Sequence, residues 1–314
     1  MRYLFLSLIL TISSCSLKKM AVRTAAPMFA EGSDYLTKES SFEFFQQTAP
    51  ANLKFSEMMY MLDPDNLTML STVIKGYAGL AYAVPETFAF GDELSGKENS
   101  VHHHQAIHLY TRALDYGVSY LEKKKISRQE ILNLEEKKLI KLLNKKLDED
   151  DHTAVLFFAQ AWGSLINLQK DNIALVSHVP RVKLLFDWVC VKNPEIENGV
   201  CEIFEAQYQS SRPKMLGGNP ELGKELFNKA IAKRPKHLLI RLTMLQFHVL
   251  PAGDKEAYDK EATILKEEFQ KWQDLNRDSL ENTSDYADVE HLHLFNAIAK
   301  KRFELIEKNK NKIF

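Results

Sequence analysis

Glycine and proline are scarce in this chain, at 12 and 10 of its 314 residues. They cluster at a few places instead of recurring about every ten residues, which excludes an all-β sandwich or barrel built on closely spaced turns. An excess of one charge is also lacking. The 41 Lys and Arg against 42 Asp and Glu leave a formal net charge of −1, so nothing attracts polyanions globally and no nucleic-acid partner is expected. Cysteine occurs only three times, too rarely for a small disulfide-stapled scaffold. No Walker loop, dinucleotide fingerprint or nucleophile elbow occurs, and the residues point to neither an enzyme nor a cofactor. What is present is a hydrophobic share of 45%, enough in a chain of this length to bury about three quarters of the unfolded surface.

The first residues carry their own message. Arg2 precedes an apolar run over residues 3–12, then Ser13-Ser14 and Cys15. A membrane span needs roughly 20 apolar residues, and this run is about half that and is followed at once by Ser16 and Lys18-Lys19, so it reads as an export signal. The order Ile12-Ser13-Ser14-Cys15 resembles the lipobox of bacterial lipoproteins. That resemblance makes residues 1–14 the signal peptide and Cys15 the acylated amino terminus, tethering the domain to a membrane on its periplasmic side. Ser16 in place of Asp leans, by resemblance to known sorting rules, toward the outer membrane. Residues 15–40, rich in small and polar types without a sustained period, read as a tether.

From residue 41 to 314 apolar residues recur at helical spacing, as in Tyr77, Leu80, Ala81, Val84 and Phe88. The clearest stripe is Val155, Phe158, Ala159, Trp162, Leu165 and Ile166, which is core before anything else. Prolines punctuate the pattern at helix starts and stops. Residues 123–146 are highly charged and read as a mobile helical excursion outside the core pattern. Cys190 and Cys201 could pair in an oxidising periplasm, but they fall on different helices at unequal distances from Pro194, which favours two buried free thiols. His102, His103, His104 and His108 are the tempting metal constellation, with His104 and His108 one helical turn apart. Carboxylate or thiolate partners at fixed spacing are missing, so no dedicated metal site is expected there.

An internal repeat fixes the expected architecture. Gly223, Phe227, Ala230, Ile231 and Pro235 share their offsets with Val182, Phe186, Val189, Cys190 and Pro194. A third copy is Ala106, Tyr110, Ala113 and Leu114, with Val118 in the proline position. The pattern resembles the second helix of a tetratricopeptide repeat, in which small residues let helices approach and an aromatic fills the groove. The expected fold is therefore all-α: antiparallel helix pairs stacked into a TPR-like superhelix with a concave face.

Longer motifs carry a family resemblance. They are Gly76-Tyr77-Ala78-Gly79-Leu80-Ala81-Tyr82-Ala83 with Glu86 and Phe88, and Leu109-Tyr110-Thr111-Arg112-Ala113-Leu114-Asp115-Tyr116-Gly117. Ala161-Trp162-Gly163, Val179-Pro180-Arg181-Val182, Leu216-Gly217-Gly218-Asn219-Pro220-Glu221 and Leu294-Phe295-Asn296-Ala297-Ile298-Ala299 follow. In this order, over about residues 50 to 308, the chain resembles the TatT family, the lipoprotein T components of TRAP (tripartite ATP-independent periplasmic) transporters. The resemblance implies a homotrimer whose subunits surround passages, association with the periplasmic solute-binding P component, and a small organic or hydrophobic ligand.

Candidate site residues follow from both readings. Phe158, Trp162, Phe186 and Trp188 could line an apolar passage, with core packing as the default for each. Gly217-Gly218 read as a left-handed turn before a helix over residues 220–234, with Asn219 as N-cap and Pro220 in the first helical position, on a loop that could face a partner. The expected function is a transport scaffold that docks a P component and helps transfer a small ligand. The alternative is a TPR lipoprotein that recruits envelope-assembly proteins without any ligand.

Overall fold

The computed structural model describes residues 2–212, 214, 217–273 and 285–314, with side chains from residue 17 onward. The side chain of Cys15 therefore lies outside the described residues. Every regular element among the described residues is a helix, as expected for an all-α chain. In order these are α1 (Arg2–Tyr35), α2 (Phe42–Leu62), α3 (Leu67–Ala83), α4 (Pro85–Leu94), α5 (Val101–Lys123), α6 (Arg128–Asn133), α7 (Glu136–Lys146) and α8 (His152–Leu168). After them come α9 (Ile173–Val176), α10 (Val179–Lys192), α11 (Val200–Ser211), α12 (Pro220–Lys233) and α13 (Leu238–Met244). A π-helical turn (Leu245–Val249) joins α13 to α14 (Leu250–Ala252), and α15 (Lys255–Gln273) and α16 (His293–Ile313) complete the order.

The chain forms two compact units. Unit 1 contains Met1–Tyr35, Gln46–Ala81 and Ile107–Val189; unit 2 contains Leu36–Phe45, Tyr82–Ala106 and Cys190–Phe314. In unit 1 the stripe Val155, Phe158, Ala159, Trp162, Leu165 and Ile166 of α8 is buried throughout, as its spacing requires. Gly117 is what lets α5 approach it. A Cβ there would lie 2.3 Å from Cδ2 of Phe158, well inside van der Waals contact. The stretch Leu67–Leu94 is long and apolar enough to cross a membrane, but α3 ends and α4 begins within it, and 56% of its most apolar window is buried inside the protein. Met69, Leu70, Val73, Ile74 and Tyr77 show why: they are core on the inner side of α3.

Two expectations are corrected in unit 1. Residues 123–146 are not a loose excursion. Ile126, Ile131, Leu139 and Leu143 are fully buried, and a reciprocal Ser127–Glu130 capping box starts α6. Leu139 and Leu143, one turn apart on α7, turn the apolar face of that helix into the core. Residues 17–35, expected as part of a spacer, are helical, with Val22 and Ala26 buried. Arg23 of this helix pairs with the fully buried carboxylate of Asp63 at 2.8 Å.

In unit 2, α11 and α12 pack closely against each other. A Cβ on Gly223 would stand 2.1 Å from Oγ of Ser210, so only glycine admits this approach, and Phe227 and Ala230 then join Ala206, Ile240 and Met244 in one core. The offsets of the repeat are matched by burial: Val182, Phe186 and Val189, and Ala106, Tyr110 and Ala113, are buried like Gly223, Phe227 and Ala230. A third correction concerns the cysteines. Cys190 and Cys201 are joined in a disulfide, with Cα atoms 5.6 Å apart.

Beyond the helix pair, unit 2 buries an imidazole. His237 precedes α13 with its ring 5.1 Å from that of Phe295 and its Nδ1 unpartnered. Burial, reinforced by Arg234 and His291, lowers its pKa from 6.5 to about 3. The unfolded chain therefore binds a proton that the folded chain refuses. Stability is complete above pH 6.5 and falls on acidification by about 1.4 kcal/mol per pH unit until the folded-state value is reached. Urea titrations at pH 7 and pH 5 are expected to differ by about 2 kcal/mol more for the natural chain than for His237→Phe; equal differences would refute this origin.

Candidate functional site

A group of charged and aromatic side chains in unit 1 centres on one carboxylate. Glu57 lies on α2 one turn after Lys54 and one turn before Tyr60, and α3 brings Tyr77 while α5 brings Arg112 and Tyr116. Lys54 Nζ donates to Glu57 Oε2 at 2.7 Å and to the Tyr77 hydroxyl at 2.9 Å. The Tyr116 hydroxyl donates to Glu57 Oε1 at 2.6 Å, and the Arg112 guanidinium bonds the same oxygen. Arg112 also lies over the Tyr77 ring at 5.1 Å and the Tyr116 ring at 5.7 Å. Tyr60 meets Tyr116 edge-on at 5.7 Å.

Burial alone would raise the carboxyl pKa of Glu57, but hydrogen bonds from Lys54, Tyr116, Tyr77 and Arg112 outweigh it and hold the group down at about 2. Burial and donation to that anion both push the Tyr116 phenol up. Burial opposes the Arg112 charge, yet Glu57 and Tyr77 more than restore it. Glu57 is thus a permanent anion, suited to fixing two cations in place and unsuited to passing a proton near neutrality. The cations outnumber it. Lys54 is 64% and Arg112 35% exposed, so a positively charged edge on an aromatic bed faces outward, a surface that fits acidic or planar anionic groups.

Sequence reasoning passed over this cluster. Its signals were the Lys54-x-x-Glu57 spacing and the Arg112-x-x-x-Tyr116 spacing, each placing both side chains on one helix face. The residues singled out instead are placed as follows. Phe158 and Trp162 are neighbours in the core of unit 1, with ring centroids 5.8 Å apart, and Trp162 faces His178 at 5.4 Å. Phe186 is buried, and Trp188, 5.5 Å from the His152 ring, donates its indole N–H to Asn144 at 2.9 Å.

Gly217 and Gly218 belong to unit 2. Gly217 has a φ of 83°, the left-handed value expected of it. A Cβ on Gly218 would lie 1.9 Å from the Arg212 carbonyl oxygen. Asn219 caps α12 by accepting from the Leu222 amide at 3.3 Å, and Pro220 opens the helix. The pair therefore shapes a tight entry into α12. His104 and His108 are exposed on α5, His104 bonding the Ser100 carbonyl through Nδ1 at 2.9 Å. Among the described residues no group of three or more His, Cys, Asp or Glu side chains is placed to hold a metal.

No curated protein matches the chain. A family does. Its description is TRAP transporter T-component, a transporter-associated class, and the match runs through both units, taking in Glu57, Tyr77, Arg112, the disulfide and the α11–α12 pair. With residues 38–314 matched, the chain belongs to the TRAP transporter T-component family.

Proposed function

We propose that this T component is a lipid-anchored periplasmic scaffold that docks the solute-binding P component of a TRAP system and helps transfer a small organic or hydrophobic ligand. The match over residues 38–314 carries the reading. In it, residues 1–14 are the export signal and Cys15 is acylated, with the outer membrane favoured over the inner. The helix pairs stack as TPR-like units, of which α11 and α12 are the best example because Gly223 brings them together. Three copies assemble around passages. Aromatic groups such as Trp162, Phe158, Phe186 and Trp188 form the rigid walls behind those passages, and the Gly217-Gly218 turn lies beside the partner.

Lys54 and Arg112 supply the polar contact. An anion saturated by four donors orients these cations without spending their outward charge, which favours docking over proton-transfer chemistry. Affinity capture of the full-length protein, crosslinked in its own cells, is expected to recover a TRAP-type solute-binding protein, and to recover less of it when exposed Lys54 is changed to Gln. Recovery of envelope-assembly proteins in its place, unaffected by Lys54→Gln, would sink the reading.

A further inference from the structure

Several large apolar side chains of unit 1 face solvent on α1 and near the end of α2. Leu17 and Met20 on α1 and Met58, Met61 and Leu62 on α2 are each about half exposed or more. The two helices run antiparallel. Phe29 meets Phe55 with centroids 5.5 Å apart, while further along Arg23 pairs with Asp63 at 2.8 Å and Lys19 with Asp65 at 3.2 Å. The last turn of α2 is thus held against the part of α1 that follows Cys15. Leu17 and Met20 precede and follow Lys19 in the chain, and Met61 and Leu62 lead directly into Asp63, so exposed apolar residues adjoin in sequence the partners of this ionic contact.

The same end has a positively charged hollow. A surface depression of about 370 Å³ is lined by Lys19, Met20, Arg23 and Thr24. Lys123 reaches Asp65 at 3.5 Å and Lys18 is exposed beside Lys19, so four cations stand against the two carboxylates Asp63 and Asp65. Half-exposed thioethers and leucines rimmed by lysine and arginine have the composition of a segment that lies in a membrane interface, where the cations meet anionic headgroups.

We propose that this end of unit 1 docks on the bilayer. Leu17, Met20, Met61 and Leu62 enter the interface, and Lys19 with Arg23 receives the phosphate of an anionic phospholipid in the hollow. Continuity selects a lipid surface over a protein: Leu17 and Met20 follow the proposed anchor residue Cys15 within two turns on the same helix α1, so the patch begins where the chain leaves the membrane. The inference rests on the proposed acylation of Cys15. It adds an orientation to that anchor, since a scaffold held by two contacts presents a fixed face to its partners whereas one held by acyl chains alone swivels.

Full-length protein carrying Met61→Cys tests this. With Cys15 acylated and Cys190 bonded to Cys201, the introduced thiol takes the label, here an environment-sensitive fluorophore. Ile173→Cys on α9 of the same unit, at a site 84% exposed, gives the solvent reference. In vesicles of phosphatidylcholine and phosphatidylglycerol, headgroup-region nitroxide lipids are expected to quench the residue-61 label several-fold more than the residue-173 label. The difference should shrink in pure phosphatidylcholine and vanish when Leu17, Met20 and Leu62 are changed to Ser. Equal quenching at both sites in protein whose intact mass shows an acylated Cys15 overturns docking and leaves the anchor standing. So does shielding of the residue-61 label from iodide without vesicles, which means that protein covers the patch. An unmodified Cys15 overturns the anchor, and quenching that persists without it supports docking on its own.

Discussion

Arg302→Ala is expected to destabilise unit 2 by about 3–5 kcal/mol in chemical denaturation, the range for removing one partner of a buried charged network. Among the described residues Arg302 is the largest side chain buried almost completely, at 1% exposure. Its Nε donates to Thr87 Oγ1 at 2.9 Å, Nη2 to the Tyr82 carbonyl at 2.8 Å and Nη1 to Gln246 Oε1 at 3.3 Å, with the Glu86 carboxylate 3.5 Å away. The guanidinium also lies 4.2 Å from the centre of the Tyr82 ring. Tyr82 sits in the last turn of α3, where helix carbonyls lack donors from their own helix, so one side chain of α16 satisfies the end of α3 and the start of α4 together. Alanine would strip Glu86 of this counter-charge and open a cavity. Arg302→Met combined with Glu86→Leu, which replaces both charges by apolar groups of similar size, is expected to recover most of the loss. If Arg302→Ala costs under about 1 kcal/mol, the buried network is not what holds α16 to α4.

Arg302 also illustrates where reading the sequence stops. The stripe on α8, the glycine turn at residues 217–218 and the N-cap at Asn219 are local: their periods and turn chemistry are written in consecutive residues, and the structure places each as its spacing requires. Small residues in the repeat pattern carried nearly as far, because a glycine facing another helix has one common use, and Gly223 against Ser210 is that use. Arg302 and Glu57 depend on partners 215 and 55 residues away. No period announces such pairs. The quoted motifs contained Tyr77, Arg112 and Tyr116, but nothing in them named the carboxylate at which they meet. Residues 123–146 differ again: the spacing of Leu139 and Leu143 marks an apolar helix face, while the many charges around them point to an excursion outside the core, and the structure buries both leucines fully.

Replacing Cys190 and Cys201 together by Ala is expected to cost about 3 kcal/mol, the loop-closure value for a crosslink spanning a separation of 11 residues. Two free thiols were favoured because the cysteines lie at unequal distances from Pro194, as though the chain turned at the proline. It turns later. Glu197, Asn198 and Gly199 all have positive φ, and this left-handed run carries the chain directly into α11, where Cys201 is the second residue. The reversal is displaced toward α11, so Cys190, in the last turn of α10, faces the first turn of α11 and not its middle. Positive φ at Glu and Asn is itself unfavourable, so the crosslink helps hold a connection that the backbone alone would prefer to relax. Treating the natural chain with a thiol reductant is expected to lower its denaturation midpoint as the double variant does, while leaving the double variant unchanged. Such a bond persists in an oxidising compartment, which agrees with an envelope transporter component. A reductant that shifts both chains equally, or neither, would mean that the turn at residues 197–199 stands without the bond.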